Sequence, residues 1–475
     1  MKLIYGVKDK PKFGQLIVYA IQQLLAIMTA TLVVPVIINS SCGTEMSSAA
    51  ALFGAGIGTI IYLLFTKFKS PVFLGSSFAF IGSMCAAFAG GVSMAVGYVG
   101  LIIGAVFAGL VYVVIAIIVK FAGVKWINKL MPAVVIGPTV AIIGLSLAGN
   151  AVGDMTKGSV PNVAASPIVA VICGIVTLFV VVLCSTYGKK TLKLIPFIIG
   201  ILAGYATAGI FTAIGYAAGI DAIKILDVTP FTDLVKNGVE LSTFLSVPEF
   251  TFMAPFVSPY EGMEAIAELG APAAVDMLTR FKGLDWSYIS TIAVAYIPVA
   301  FVVFAEHIAD HKNISSIIEQ DLLEEPGLHR TLLGDGVGSM FGAFFGGCPN
   351  TTYGESVGCV AITGNASVLT IFTAAVLAVL IAFISPFIAF VNSIPSCVMG
   401  GVCMALYGFI AVSGLKMVQK VDLNQNKNLF VVSTILIAGI GGLTLTFGKV
   451  TITSVACALI LGILTNLIVS KAKEE

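Results

Sequence analysis

Charge is scarce in this sequence. Asp, Glu, Lys and Arg make up only 10% of its 475 residues, and 25 basic against 24 acidic side chains leave a net charge of +1. A soluble domain carries about 25% charged residues. With 58% hydrophobic residues and a mean hydropathy of +1.05, the chain reads as a polytopic membrane protein. Its balanced charge gives nucleic acid nothing to bind. There is no Gly-x-x-x-x-Gly-Lys-Ser/Thr phosphate loop, which argues against a self-contained ATP-driven pump. The nine cysteines are scattered through apolar runs with neither metal-ligand spacing nor a paired framework. The three histidines, His307, His311 and His329, lie near one cytoplasmic edge and suggest no metal cluster or catalytic base. No enzyme activity, metal or cofactor is expected. The basic N-terminus, Met1–Phe13, is not followed by a short apolar core with a small-residue cleavage site, so the first helix itself should direct insertion.

What the chain does have is long apolar runs. A membrane helix needs about 20 apolar residues. Eleven clear candidates run from Gly14–Ile38 to Thr451–Ser470, including Tyr288–Ala309 and Pro395–Val412. Three weaker ones are Val72–Phe88, Leu328–Phe345 and Thr351–Thr363. The fold expected is therefore all-α with fourteen transmembrane segments. Lysines support that count. Lys67 and Lys69, Lys120 to Lys129, Lys189 to Lys193, Lys416 to Lys427, and Lys471 with Lys473 all fall on the side of the basic N-terminus if every segment crosses. The positive-inside rule then puts both termini in the cytoplasm. The acidic loop Ala217–Ser287 would lie outside as a solvated cap, with a short amphipathic helix near Glu261–Phe281.

The halves look related. Met131-Pro132-Ala133-Val134-Val135-Ile136-Gly137 is similar to Ile394-Pro395-Ser396-Cys397-Val398-Met399-Gly400. One stretch opens the fifth segment and the other the twelfth, which makes a seven-plus-seven repeat, inverted because each half crosses an odd number of times. Inverted repeats with broken segments at matching positions point to a secondary transporter with a midplane site. The broken segments are the third and tenth, opening at Leu74-Gly75-Ser76-Ser77-Phe78 and Asn350-Thr351-Thr352-Tyr353-Gly354-Glu355. Each reads as a short extended piece followed by a short helix. Extended pieces cannot stay unpaired in lipid, so these two should pair with each other.

Glu355 is the focus. A charged group at the centre of a membrane helix costs about 2.5–3.5 kcal/mol on insertion scales, and an intramembrane acid is a functional site by default. Glu355 could accept N–H donors from a ligand and Phe78 could stack on a flat ring, although Phe78 taken alone reads more readily as core packing. Glu306 and Asp310 are four apart on one helical face, and two acids that close in low dielectric resist ionising together, which makes a proton carrier. Asp310 and His311 read equally as the cytoplasmic end of the eighth segment. Na⁺ would want more oxygen ligands than Glu306, Glu355 and nearby hydroxyls provide, so the proton is preferred.

These residues resemble the nucleobase–ascorbate transporter family (nucleobase:cation symporter-2), and most closely its bacterial uracil permeases. The matching stretches are Leu74–Phe80, Ala305–Ile308, Asp321–Arg330, Pro349–Gly358 with Ala361-Ile362-Thr363, and Met399 to Gly408; only the enlarged loop Ala217–Ser287 falls outside the likeness. The resemblance implies a core domain of residues 1–130 and 288–392 (segments 1–4 and 8–11), and a gate domain of residues 131–216 and 393–475. Residues 217–287 form an extracellular loop. It implies substrate held by Glu306 and Glu355, stacking at Phe78, backbone contacts near Phe78 and Gly354, Tyr353 among the binding residues, and Tyr407 facing the site from the gate. An acid at Glu355 is the uracil pattern. Three departures stand out. Asp310, followed by His311, replaces the usual His; Ser356 and Gly364 replace an Asn and a basic residue; Gln23 replaces a His of the first segment. The expectation is a proton-coupled uracil importer of the plasma membrane, with Glu306, Asp310 and His311 on the proton path and a homodimer allowed for. The alternatives are a xanthine or urate carrier of the same family and an anion transporter or channel of similar architecture.

Overall fold

The computed structural model describes residues 3–470 apart from 124, 190–191, 193–194, 237, 258–279 and 448–449. The helix expected near Glu261–Phe281 falls almost wholly outside the described residues, as do Lys190, Lys193, Lys471 and Lys473. Where the chain is apolar and free of closely spaced breakers it is helical, the state that satisfies backbone N–H and C=O groups within one segment. The main helices are α1 (Phe13–Cys42), α2 (Ser48–Phe65), α3 (Ile81–Ala87), α4 (Met94–Ala122), α5 (Ala133–Ser146), α6 (Pro167–Tyr187) and α7 (Pro196–Ala218). The second half adds α8 (Trp286–Ile318), α9 (Leu328–Gly346), α10 (Gly354–Thr363), α11 (Val368–Ile381), α12 (Ser396–Val418), α13 (Asn426–Ile440) and α14 (Ser454–Val469). Among the described residues, 8 helices are long and apolar enough to cross a bilayer. The chain is a multi-pass membrane protein.

One boundary differs from the sequence reading. The polar run after Ala309 looks like a helix end, yet α8 continues unbroken to Ile318 and stops at Glu319, which is in the left-handed conformation. Asp310 and His311 are buried rather than solvated, because α2, α9 and the segment before α10 cover them.

Small residues bring helices close together. A Cβ on Gly54 of α2 would lie 2.5 Å from the carbonyl oxygen of Gly342 in α9. In the other half, a Cβ on Gly414 of α12 would lie 2.5 Å from the carbonyl oxygen of Gly137 in α5. Both are helix–helix contacts that a larger residue would push apart.

Two short strands sit between the helices. β1 (Leu74–Ser76) pairs antiparallel with β2 (Asn350–Thr352), with Gly75 opposite Thr351. The ladder is extended by Ser77 N–H to Pro349 O (2.9 Å) and Tyr353 N–H to Phe73 O (3.2 Å). Side chains satisfy what remains. The Thr59 hydroxyl oxygen accepts from Leu74 N–H at 2.9 Å, and Asn350 Nδ2 donates to Gly54 O at 3.1 Å. Extended backbone can lie inside such a protein only when paired in this way.

Candidate functional site

Each strand turns directly into a helix start. After β1 comes a single tight turn, Phe78–Phe80, leading into α3; after β2 comes α10, with extended Tyr353 as its cap and Glu355 in its first turn. First-turn N–H groups have no intrahelical acceptor and carry the positive end of the helix dipole. Two such ends, reached through one strand pair, make a polar setting inside an apolar protein.

Three acids gather there. Glu306 and Asp310 lie one turn apart on α8, and both are within electrostatic range of Glu355. Asp310 Oδ2 accepts a hydrogen bond from Thr352 Oγ1 at 2.9 Å, which seats α8 on β2. Glu306 and Glu355 are half-buried and Gly354 is exposed, whereas Phe78, Asp310, Tyr353 and Tyr407 are buried. The two glutamates therefore border open space and Asp310 lies behind them. Phe78 meets Tyr407 of α12 edge to face, with ring centroids 5.6 Å apart and planes at 81°. That contact joins the strand-bearing half of the site to α12.

Two expected residues are engaged elsewhere. The Tyr353 hydroxyl donates to Ser76 O at 2.7 Å, so this tyrosine braces the strand pair. His311 faces away from the acids: its Nε2 is 2.7 Å from the Tyr62 hydroxyl and its Nδ1 is 2.8 Å from His307 O. The structure brings Glu306, Asp310, Glu355, Gly354, Phe78 and Tyr407 to one region and turns His311 toward another.

The structure also supplies residues that sequence reasoning left aside or noted only as departures. Ser356 Oγ accepts from Gln23 Nε2 at 2.6 Å and from Phe73 N–H at 3.0 Å. It ties α1, the approach to β1 and the first turn of α10 together beside Glu355. The signal was present, since both residues depart from the family pattern, but nothing in the sequence says that they touch. An apolar cavity of about 40 Å³, lined by Met28, Thr29, Ile198, Phe387 and Met399 among others, lies away from the acids between α1, α7 and α12; Thr29 is the one polar side chain in its lining. Among the described residues no cluster of His, Cys, Asp and Glu is arranged to hold a metal ion.

A family model described as a permease family matches residues 14–447. A uracil permease of Bacillus caldolyticus is 37% identical over 98% of this chain and 95% of its own length. One of Bacillus subtilis is 36% identical over 100% and 97%, and one of Escherichia coli K12 is 35% identical over 98% and 93%. Among solved structures, the transmembrane domain of the cyanobacterial bicarbonate transporter BicA aligns with a TM-score of 0.56 at 14% identity, covering 98% of this chain and 100% of that one. SLC26A9 aligns at 0.59 and 12% identity, covering 97% and 66%. At such identities the likeness is one of fold alone.

Proposed function

This chain belongs to the permease family whose model spans residues 14–447, the nucleobase–ascorbate transporters, and from that membership we propose that it carries uracil inward across the plasma membrane together with protons. It is a transporter, not an enzyme. The observation that carries the substrate is the 35–37% identity, over nearly the whole chain, to proteins named uracil permeases.

The arrangement of side chains supports the same reading. Uracil is a flat ring with an imide edge. Its N–H groups suit the carboxylates of Glu306 and Glu355, its carbonyls suit the backbone donors at Gly354 and the start of α10, and its face suits Phe78. Tyr353 braces the strands beneath, and Tyr407 approaches from α12. Asp310, buried behind Glu306 and hydrogen-bonded to Thr352, shares the coupling proton with it; Na⁺ would find few other oxygen ligands. The membrane potential contributes about 2.3 kcal/mol per charge per 100 mV, enough to drive accumulation. His311, turned toward Tyr62, contributes indirectly.

In this reading the chain crosses fourteen times as two inverted sets of seven, with both termini in the cytoplasm. Residues 1–130 and 288–392 form a core that moves against a gate of residues 131–216 and 393–475, the two proteins of a homodimer each carrying a site. The acidic loop 217–287 caps the outside. A xanthine carrier is the second reading, favoured by Ser356 and Gly364 in the signature.

The test is uptake of labelled uracil by cells expressing the chain, with excess unlabelled xanthine and with an uncoupler. Uptake that ignores xanthine, collapses with the uncoupler and is absent in Glu355→Ala supports uracil–proton symport. Xanthine uptake without uracil uptake overturns the substrate, and uptake indifferent to the uncoupler overturns the coupling.

A further inference from the structure

The face of α8 that turns away from Glu306 and Asp310 carries a second polar group of residues. His307 and His311 are fully buried there against α2 and α9, as is Asp335 of α9. The two rings stack with centroids 4.0 Å apart and planes at 29°. His307 Nδ1 is 2.6 Å from Asp335 Oδ2, and its Nε2 is 3.0 Å from Thr331 Oγ1.

Counting hydrogens assigns the protons. Thr331 has one hydroxyl hydrogen and donates it to Leu328 O at 3.0 Å, a carbonyl that can only accept. Thr331 Oγ1 is therefore the acceptor toward His307, whose Nε2 carries a hydrogen. His311 Nδ1 must donate to His307 O. Its Nε2 then accepts from the Tyr62 hydroxyl, which in turn accepts from Ser70 Oγ at 2.6 Å. Every group of that chain is satisfied with His311 neutral.

Asp335 remains. Among the described residues its Oδ1 has no hydrogen-bond partner. The titratable groups around it are His307, His311, Tyr62 and Tyr112, with the acids Glu306 and Asp310 across α8; no cation is among these. An ionised Asp335 opposite a neutral imidazole would be an uncompensated buried charge. An ion pair with His307 would need donors for the remaining carboxylate lone pairs, and Oδ1 receives none. A neutral acid donating from Oδ2 to the bare Nδ1 of His307 fits all the contacts.

We propose that Asp335 is a neutral acid whose proton stays resident, donated to His307, and that the two are positioning residues that hold the roll of α8 so that Glu306 and Asp310 face the site. This proton is distinct from the one that moves with substrate. It is held in a closed network, while of the coupling acids Glu306 is half-buried beside Glu355 and Asp310 lies directly behind it. Only the uptake arm of the test rests on the transport reading.

Infrared spectroscopy of the purified protein with labelled aspartate tests the assignment directly. At neutral pH the wild type should show a carboxylic-acid carbonyl stretch that disappears in Asp335→Asn. Asparagine donates from the same place, so this variant should keep uptake, with an unchanged pH profile. Asp335→Leu, which leaves Nδ1 without a donor, should lose about tenfold or more. A spectrum with no acid band lost in Asp335→Asn overturns the proposal. So does an Asp335→Asn variant that reaches the membrane yet is as inactive as Asp335→Leu, or whose pH profile is displaced. Where Asp335→Asn does not accumulate, nitrogen NMR of His307 in the wild type decides: a neutral ring with its hydrogen on Nε2 supports the assignment, and a cationic ring overturns it. Should the chain carry a substrate other than uracil, the spectroscopic arms still decide.

Discussion

Thr352 of β2 donates its hydroxyl hydrogen to Asp310 of α8 at 2.9 Å, across 42 residues of chain. This bond is the point at which the long helix that carries two of the acids is keyed to the strand pair that presents Phe78 and Glu355. It places a buried carboxyl beside the first turn of α10, whose Gly354 lies against Asp310 Oδ1. Side-chain chemistry on α8 and backbone geometry at β2 are therefore coupled.

Thr352→Val keeps the shape of the strand and removes that donor. Leaving a buried acceptor unsatisfied costs about 1–3 kcal/mol. Initial uptake by this variant should fall by about tenfold at unchanged amounts of protein in the membrane, while Thr352→Ser stays near the wild type. Equal uptake by the valine and serine variants would show that the bond does not matter.

Gly75→Ala tests the strand crossing itself. A Cβ at this position would run into the ring of Tyr353, whose hydroxyl is anchored on Ser76 O. Forcing extra volume into a packed site costs about 1–3 kcal/mol. The variant should show a lower melting temperature in detergent and little uptake, and the double variant Gly75→Ala with Tyr353→Ala should recover thermal stability relative to Gly75→Ala alone.

Ser356→Ala removes one acceptor and strands two donors, Gln23 Nε2 and Phe73 N–H. The expected loss is about 1–3 kcal/mol for the buried donors, seen first as a raised KM because Glu355 loses the neighbour that fixes its turn. Changing Gln23 to Met together with Ser356→Ala takes away one of the stranded donors and should be milder than the sum of the single changes. A simple sum in a double-mutant cycle would mean that the two side chains do not interact.

Lys69 and Glu325 form an exposed ion pair at 2.5 Å between the loop after α2 and the turn before α9. The Lys69 ammonium holds the Glu325 carboxyl below its ordinary range. A depressed folded-state value means that the pair's stabilisation is present above the ordinary glutamate pKa and is lost as pH falls through the depressed one. Exposed pairs are weak and screened by salt. Glu325→Gln should therefore be slightly less stable than the wild type at neutral pH and low salt, with the difference vanishing in acid or at high salt. A melting-temperature gap that persists in acid would assign it to something other than this pair.

Composition alone placed this chain in a membrane, because so few charged groups leave no other way to cover so much apolar surface. Gly and hydroxyl residues around Glu355 and Phe78 marked the broken segments, since neither stretch can continue as an apolar helix, and an acid in such a place stands out against its surroundings. Tertiary structure decided what touches what. Residues 306, 307, 310 and 311 share two turns of one helix, and the sequence does not tell which face meets open space. Only the packing of α2 and α9 turned His307 and His311 inward and carried α8 past Ala309. Asp335 was legible as an acid within an apolar, Gly-rich segment, but its partner is 28 residues away, and the Gln23–Ser356 contact spans 333. Local pattern sets the helices and their breaks because it acts through backbone hydrogen bonds and burial along one segment. The hydrogen-bond partners of a buried side chain depend on which distant helix arrives beside it, and that is settled only when the chain has packed.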